Sequence, residues 1–138
     1  MTNAVDEMRA KTLFDVIKEP CGMDTILSTE NLCRDFKIGD GSVVNALKNI
    51  NIEIEKGKLT ILRGRSGSGK TTLINILGAL DKPTKGKVMF GGRDITRLSE
   101  RARDDIRRYK MAFVFQSVAL MSGMTAYENV DFGLRLAK

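Results

Sequence analysis

The sequence predicts an α/β fold: a parallel sheet with flanking helices, joined to an antiparallel β layer. Three stretches carry the prediction. Leu59-Thr60-Ile61-Leu62, a Gly/Ser-rich turn and the apolar-periodic run Thr71 to Leu80 form a strand–turn–helix unit. Ile50, Ile52 and Ile54 alternate with Asn51, Glu53 and Glu55, so that strand has one wet face and belongs to an antiparallel sheet. Met111-Ala112-Phe113-Val114-Phe115 is apolar without interruption, the pattern of a parallel strand covered on both faces.

The elements follow in order. Residues 3 to 18 form a short helix with an irregular apolar side, stopped by Pro20 and Gly22. Thr25 to Phe36 is a strand of irregular pattern, and residues 37 to 42 are a turn. Val43 to Glu55 is the second strand, and Lys56-Gly57-Lys58 leads into the buried strand 59–62. On the helix that follows, Leu73, Ile76, Leu77 and Leu80 share a face suited to packing on a sheet. Residues 81 to 86 end it, Lys87 to Phe90 is a short strand, and Gly91-Gly92 is a turn. Ser99 caps a charged helix reaching Tyr109. Gln116 stands at the C-terminal end of the Met111–Phe115 run, where open α/β sheets place ligand-binding groups. Beyond the Met121–Met124 loop, Thr125 and Glu128 are spaced as a capping box for a last helix running to Lys138.

The turn inside the first unit is Gly64-Arg65-Ser66-Gly67-Ser68-Gly69-Lys70-Thr71, followed by Thr72. It fits the phosphate-loop pattern G-x-x-x-x-G-K-[ST], in the strand–turn–helix context that the pattern requires. Gly64, Gly67 and Gly69 admit backbone conformations closed to residues with a Cβ and let main-chain N–H groups approach a phosphate. The helix start adds about half a positive charge. Lys70 is placed to reach the β- and γ-phosphates of a nucleotide, and the Thr71 hydroxyl to ligate Mg²⁺.

Composition bounds the rest. At 138 residues, 42% hydrophobic and 29% charged, the chain is sized and balanced for one globular domain. Its net charge of +6 suits nucleic acid, an anionic membrane surface or a polyphosphate ligand. Cys21 and Cys33 are too few for a disulfide framework or a four-ligand zinc site and fit a reducing compartment. Without histidine, no step here uses an imidazole. No apolar run approaches the roughly 18 residues of a membrane span. The acidic N-terminus lacks a signal-peptide layout. The expectation is a cytosolic chain.

From about residue 26 onward the sequence resembles the nucleotide-binding domain of an ABC transporter. Besides the phosphate loop, the resemblance rests on Ala46-Leu47-Lys48-Asn49-Ile50 through Gly57, on Leu80-Asp81-Lys82-Pro83-Thr84-Lys85-Gly86, on Phe113-Val114-Phe115-Gln116-Ser117 and on Met124-Thr125-Ala126-Tyr127-Glu128-Asn129-Val130. Together these point to the branch serving macrolide-export and lipoprotein-release systems. The division implied is an extension, residues 1–25, and the N-terminal part of an ABC ATPase domain, residues 26–138. The resemblance implies ATP and Mg²⁺ as ligands, with residues 64–72 cradling the phosphates. It implies that Phe36 stacks on adenine, although a lone Phe ending a strand is more often core. It implies that Gln116 completes the Mg²⁺ shell and senses the γ-phosphate, and that the segment Ser117 to Tyr127 meets transmembrane permease subunits. A second ATP-binding subunit, and a cytoplasmic position on the inner face of the cell membrane, come with it. Arg65 replaces the family's usual Pro where only backbone contacts are expected. The family's signature loop, acidic Walker B strand with its catalytic glutamate, D-loop and switch histidine have no counterpart in these 138 residues. The implied chain therefore holds nucleotide but lacks the base that activates water. It is a truncated product, an expressed fragment or a chain that works with a complement.

Three other readings stand beside this one. A small kinase would need a lid or base-recognition motif, and none is found. A docking or regulatory piece without turnover fits the missing motifs. A nucleic-acid binder would use Arg97, Arg101 and Arg108, with Arg93, Arg103, Arg107 and Lys110 near them, but Asp94, Glu100, Asp104 and Asp105 interleave with them, as on a solvated face laced with ion pairs. No nucleic-acid partner is expected.

Overall fold

The computed structural model describes residues 24–115 and 120–136. These fall into two compact units, one ending at Leu98 and the other beginning at Ser99. The expected helix over residues 3 to 18 lies outside the described residues, as do Cys21 and Gln116.

The first unit is built on a four-stranded antiparallel sheet of order β2-β1-β3-β4, with β1 Thr25–Lys37, β2 Val43–Glu55, β3 Lys85–Phe90 and β4 Arg93–Asp94. The α/β class and its antiparallel layer are as the sequence predicts. On β2, Ile50, Ile52 and Ile54 are half-buried while Asn51, Glu53 and Glu55 are exposed. The irregular pattern of β1 has a cause: its register on β2 slips between Thr29 and Leu32, with Asn31 in the left-handed region at φ 48°. Buried Thr29 spans the slip, its Oγ1 donating to the Ile50 carbonyl at 2.9 Å and accepting from the Ile52 N–H at 3.2 Å. Gly86 on β3 faces the same irregularity. At φ +90°, a Cβ there would stand 2.4 Å from the Asn31 carbonyl oxygen, so only glycine fits.

Helix α1, Lys70–Leu77, buries Leu73, Ile76 and Leu77, and the core adds Leu27, Leu32, Leu47, Val88 and Ile95. The helix ends three residues before the expected Leu80. Ala79 takes φ 57°, the Leu80 N–H bonds the Asn75 carbonyl at 2.7 Å and the Ala79 N–H bonds the Ile76 carbonyl at 3.1 Å. This is a Schellman closure, with alanine where glycine is usual. Leu80 consequently leaves the buried face and is exposed.

Two expected strands are corrected. Leu59–Leu62 and Met111–Phe115 take part in no ladder among the described residues, and Leu59 is 88% exposed. Apolar content alone does not make a parallel strand; it needs a hydrogen-bonded neighbour and cover on both faces. Every ladder among the described residues is antiparallel: β1 pairs with β2 and β3, and β3 with β4.

The second unit holds two helices. In α2, Glu100–Tyr109, the Ser99 hydroxyl accepts from the Ala102 N–H at 3.3 Å, the cap the sequence predicts. Buried Arg103 pairs with Glu100 at 2.6 Å, while Arg107 pairs with Glu100 at 3.2 Å and with Asp104. In α3, Ala126–Leu136, the capping box closes as expected: the Thr125 N–H donates to Glu128 Oε2 at 2.7 Å and the Glu128 N–H to Thr125 Oγ1 at 3.3 Å. Asn129, which the sequence did not single out, fastens the preceding loop. Its Nδ2 lies 3.0 to 3.3 Å from the carbonyls of Met121, Met124 and Thr125, and its Oδ1 accepts from the Met121 N–H at 2.9 Å. Among the described residues, no helix is long and apolar enough to cross a membrane.

Candidate functional site

The Gly-rich loop ends where α1 begins, and its backbone is left-handed at Gly67 (φ 76°) and Gly69 (φ 84°). Gly69 is the N-cap residue of α1. Having no side chain, it leaves the first-turn N–H groups uncapped and available to an anion. A Cβ on Gly69 would stand 2.5 Å from the Ala46 carbonyl oxygen and 3.0 Å from Leu47 Cδ2. The loop is thus pressed against β2. It meets the strand where the β1–β2 register slips by one, between Arg34↔Leu47 and Asp35↔Asn45, leaving Ala46 without an opposite residue.

Lys70, the first residue of α1, turns back over the loop. Its Nζ donates to the carbonyls of Gly64 at 2.7 Å and Arg65 at 2.6 Å, and to Ser68 Oγ at 3.3 Å. Arg65 contributes through its carbonyl, which also accepts from the Ser68 N–H at 3.3 Å. Ser66, Gly67, Ser68 and Thr71 are exposed, and Thr72 is half-buried. A phosphate group fits this arrangement: one ammonium and the start of one helix converge on a loop whose glycines keep the main chain accessible. The Thr71 hydroxyl is a hard oxygen donor of the type Mg²⁺ takes when phosphate and water supply the remaining ligands. Among the described residues, no group of three or more His, Cys, Asp or Glu side chains is arranged to hold a metal by itself.

Phe36 lies near the end of β1, opposite Val44, two register positions from the place where Gly69 meets β2. The sheet therefore carries this ring, 39% exposed, to the end that abuts the loop. The segment after α1 is stitched to the same end. Arg34 pairs with Asp81, the Asp35 N–H donates to Thr84 Oγ1 at 3.0 Å, and the Thr84 N–H donates to the Cys33 carbonyl at 2.8 Å. The sequence showed residues 81 to 86 only as a turn. A charge pair separated by 47 residues, Arg34 and Asp81, gives no local signal.

Comparison with known proteins places the chain in a family. A family model described as ABC transporter matches residues 47–138, more than half of the chain. The chain belongs to the ABC transporter family. It is 41% identical over 108 residues to a macrolide export ATP-binding/permease protein of Vibrio parahaemolyticus, covering 78% of this chain and 16% of that one. It is 40% identical over 115 residues to a lipoprotein-releasing system ATP-binding protein of Geobacter metallireducens, covering 83% and 51%. A bacterial ABC transporter cassette solved as a dimer matches with a TM-score of 0.75 and 38% identity, covering 82% of this chain and 48% of that one. The same cassette is known in a post-hydrolysis state with ADP and phosphate. The chain therefore spans about half the length, or less, of these relatives. ATP binding is the family's shared property, and the relatives include the macrolide-export and lipoprotein-release systems that the sequence resembled.

Proposed function

We propose that this chain binds Mg-ATP through residues 64–72 and serves as the ATP-binding part of an ABC transporter. The observation that carries the reading is Gly69, held left-handed against the Ala46 carbonyl, with Lys70 folded over the loop behind it. Gly64, Arg65, Ser66, Gly67, Ser68 and Gly69 present main-chain N–H groups to the phosphates, and Lys70 leaves the Gly64 and Arg65 carbonyls for the β- and γ-phosphate oxygens. The Thr71 hydroxyl would hold Mg²⁺, which neutralises phosphate charge, and Gln116, the second metal ligand that the resemblance implies, lies outside the described residues. The Phe36 ring stacks on the adenine, and Thr72 completes the phosphate-binding stretch.

Cleavage of the γ-phosphate is assigned to groups that these 138 residues do not carry, so the isolated chain is expected to bind without turnover. The partners proposed are transmembrane permease subunits, met through the loop that Asn129 fastens, and a second ATP-binding subunit. The place of work is the cytoplasmic face of the cell membrane. Nucleic-acid binding is disfavoured because Arg103 and Arg107 on α2 are paired with Glu100 and Asp104.

Calorimetric titration of the purified, folded chain with Mg-ATP tests the reading. Binding should be measurable and should fall at least about tenfold in Lys70→Ala, which loses a charge-assisted contact of about 1.5–3 kcal/mol. Equal affinity in the variant would remove the phosphate-loop assignment. ATPase activity abolished by Lys70→Ala would refute the absence of turnover.

A further inference from the structure

Arg34 has no role in the site as proposed. It precedes Phe36 by two positions on β1, so the two side chains emerge on one face of the strand. Its guanidinium carbon stands 4.5 Å from the centroid of the Phe36 ring, within the range of a cation–ring contact. Asp81 pins the guanidinium: Nη2 donates to Oδ1 at 3.0 Å, and Nε lies 2.9 Å from Oδ2. Asp81 is itself tied down. Its Oδ1 accepts from the Lys82 N–H at 2.7 Å, and its own N–H donates to the Asn75 carbonyl of α1 at 3.1 Å. A continuous set of contacts thus runs from α1, whose start carries the phosphate loop, through Asp81 and Arg34 to the ring.

We propose that Arg34 is a positioning residue for nucleotide binding: clamped by Asp81, it covers one face of Phe36 and holds the ring so that the opposite face receives the base. The proposal rests on the reading of Phe36 as the base-stacking residue and names what orients it. Two physical effects follow. A partly exposed phenyl ring near a strand end samples several rotamers, and ordering it beforehand removes that cost from binding. A guanidinium on one face also draws the ring's π-electrons toward itself, leaving the other face less negative and better matched to an electron-rich purine. Arg34 and Asp81 are both less than one third exposed, so water screens the clamp only in part.

The test compares Mg-ATP with magnesium tripolyphosphate, which has the phosphates but no base. Dissociation constants for both are measured on the full chain and on Phe36→Ala, Arg34→Ala, Arg34→Lys, Asp81→Asn and the double variant Phe36→Ala/Arg34→Ala. Arg34→Ala should weaken ATP binding about three- to tenfold, leave tripolyphosphate affinity unchanged, and add nothing once Phe36 is already Ala. Asp81→Asn should show a smaller loss of the same kind. Arg34→Lys, which keeps the charge without the planar fork, should restore only part of the affinity. Equal losses for ATP and tripolyphosphate would make Arg34 a phosphate-directed charge and overturn the proposal. Unchanged ATP affinity in Arg34→Ala, or losses that add in the double variant, would overturn it as well. If Phe36→Ala alone leaves ATP binding untouched, the base-stacking reading itself has failed and the brace falls with it. A lost melting transition in Arg34→Ala moves the decision to Arg34→Lys, where an unaltered ratio of ATP to tripolyphosphate affinity overturns the proposal.

Discussion

Replacing Gly69 with alanine places a methyl group where the structure leaves no room. The position is left-handed at φ +84°, and the added Cβ would meet the Ala46 carbonyl oxygen at 2.5 Å and Leu47 Cδ2 at 3.0 Å. Left-handed backbone costs a residue with a Cβ about 1–2 kcal/mol. Relieving a clash with main chain adds about 1–3 kcal/mol, because a carbonyl cannot swing aside as a side chain does. Some 2–5 kcal/mol then falls on the loop conformation seen here, the one that the proposed phosphate binding uses. The loop escapes by changing shape, so the loss appears mainly in binding. At about 1.4 kcal/mol per factor of ten, Mg-ATP affinity should drop at least about 30-fold. Two controls calibrate the figure. Gly67→Ala, left-handed at φ +76° with nothing within 4 Å, bears only the conformational part, or about 5- to 30-fold. Gly39→Ala, in open space without a left-handed φ, should change nothing. Calorimetry with Mg-ATP, beside a thermal melt of each variant, reads all three. Affinity of Gly69→Ala within about threefold of Gly39→Ala would refute the close approach to β2, as would a Gly67→Ala loss larger than that of Gly69→Ala.

Three further outcomes are expected. Asn129→Ala removes the bonds fastening the Met121–Met124 loop and should cost about 1–3 kcal/mol, seen as faster hydrogen exchange at the Met121 and Met124 amides while α2 is unaffected. The Thr125 N–H and hydroxyl hold the Glu128 carboxyl below its ordinary value. Its stabilisation of α3 is therefore complete above that ordinary value and is lost as pH falls through the depressed one. Helix content followed by circular dichroism should drop over that acidic window in the parent, and Glu128→Gln should flatten this part of the profile. Ala79→Gly relieves a left-handed alanine (about 1–2 kcal/mol) but deletes a buried methyl (about 0.8 kcal/mol) and loosens the unfolded chain (about 0.4–1 kcal/mol). The melting temperature should stay within a few degrees of the parent; a fall of ten degrees would contradict the Schellman closure.

Much of the fold was legible because its signals are local. The Ile50, Ile52 and Ile54 alternation, the Ser99 cap, the Thr125–Glu128 box and the Gly-rich loop each lie within a few residues, and each is found in the described structure. The helix end at Leu77 is hidden in the sequence because Leu80 continues the apolar face after Ala79 has turned the chain. The pairing of Arg34 with Asp81 and of Asp35 with Thr84 has no local signal because the partners lie 47 and 49 positions apart. The strand expectations at 59–62 and 111–115 erred in the other direction. Their hydrophobicity specifies that they be covered, not what covers them.

By itself, then, the order of amino acids determined the phosphate-loop motif, since Gly64 through Thr71 contain the glycines, the ammonium and the hydroxyl within eight positions. It also determined which stretches could be strands or helices, because periodicity and caps act over one or two turns of chain. Tertiary structure alone decided where the loop rests and which side chains attend it. Gly69 meets Ala46, and Arg34 meets Asp81, across 23 and 47 positions that only the folded sheet brings together. Such contacts exist only after the entropy of closing the intervening chain has been met by the whole core, which is why no short stretch announces them.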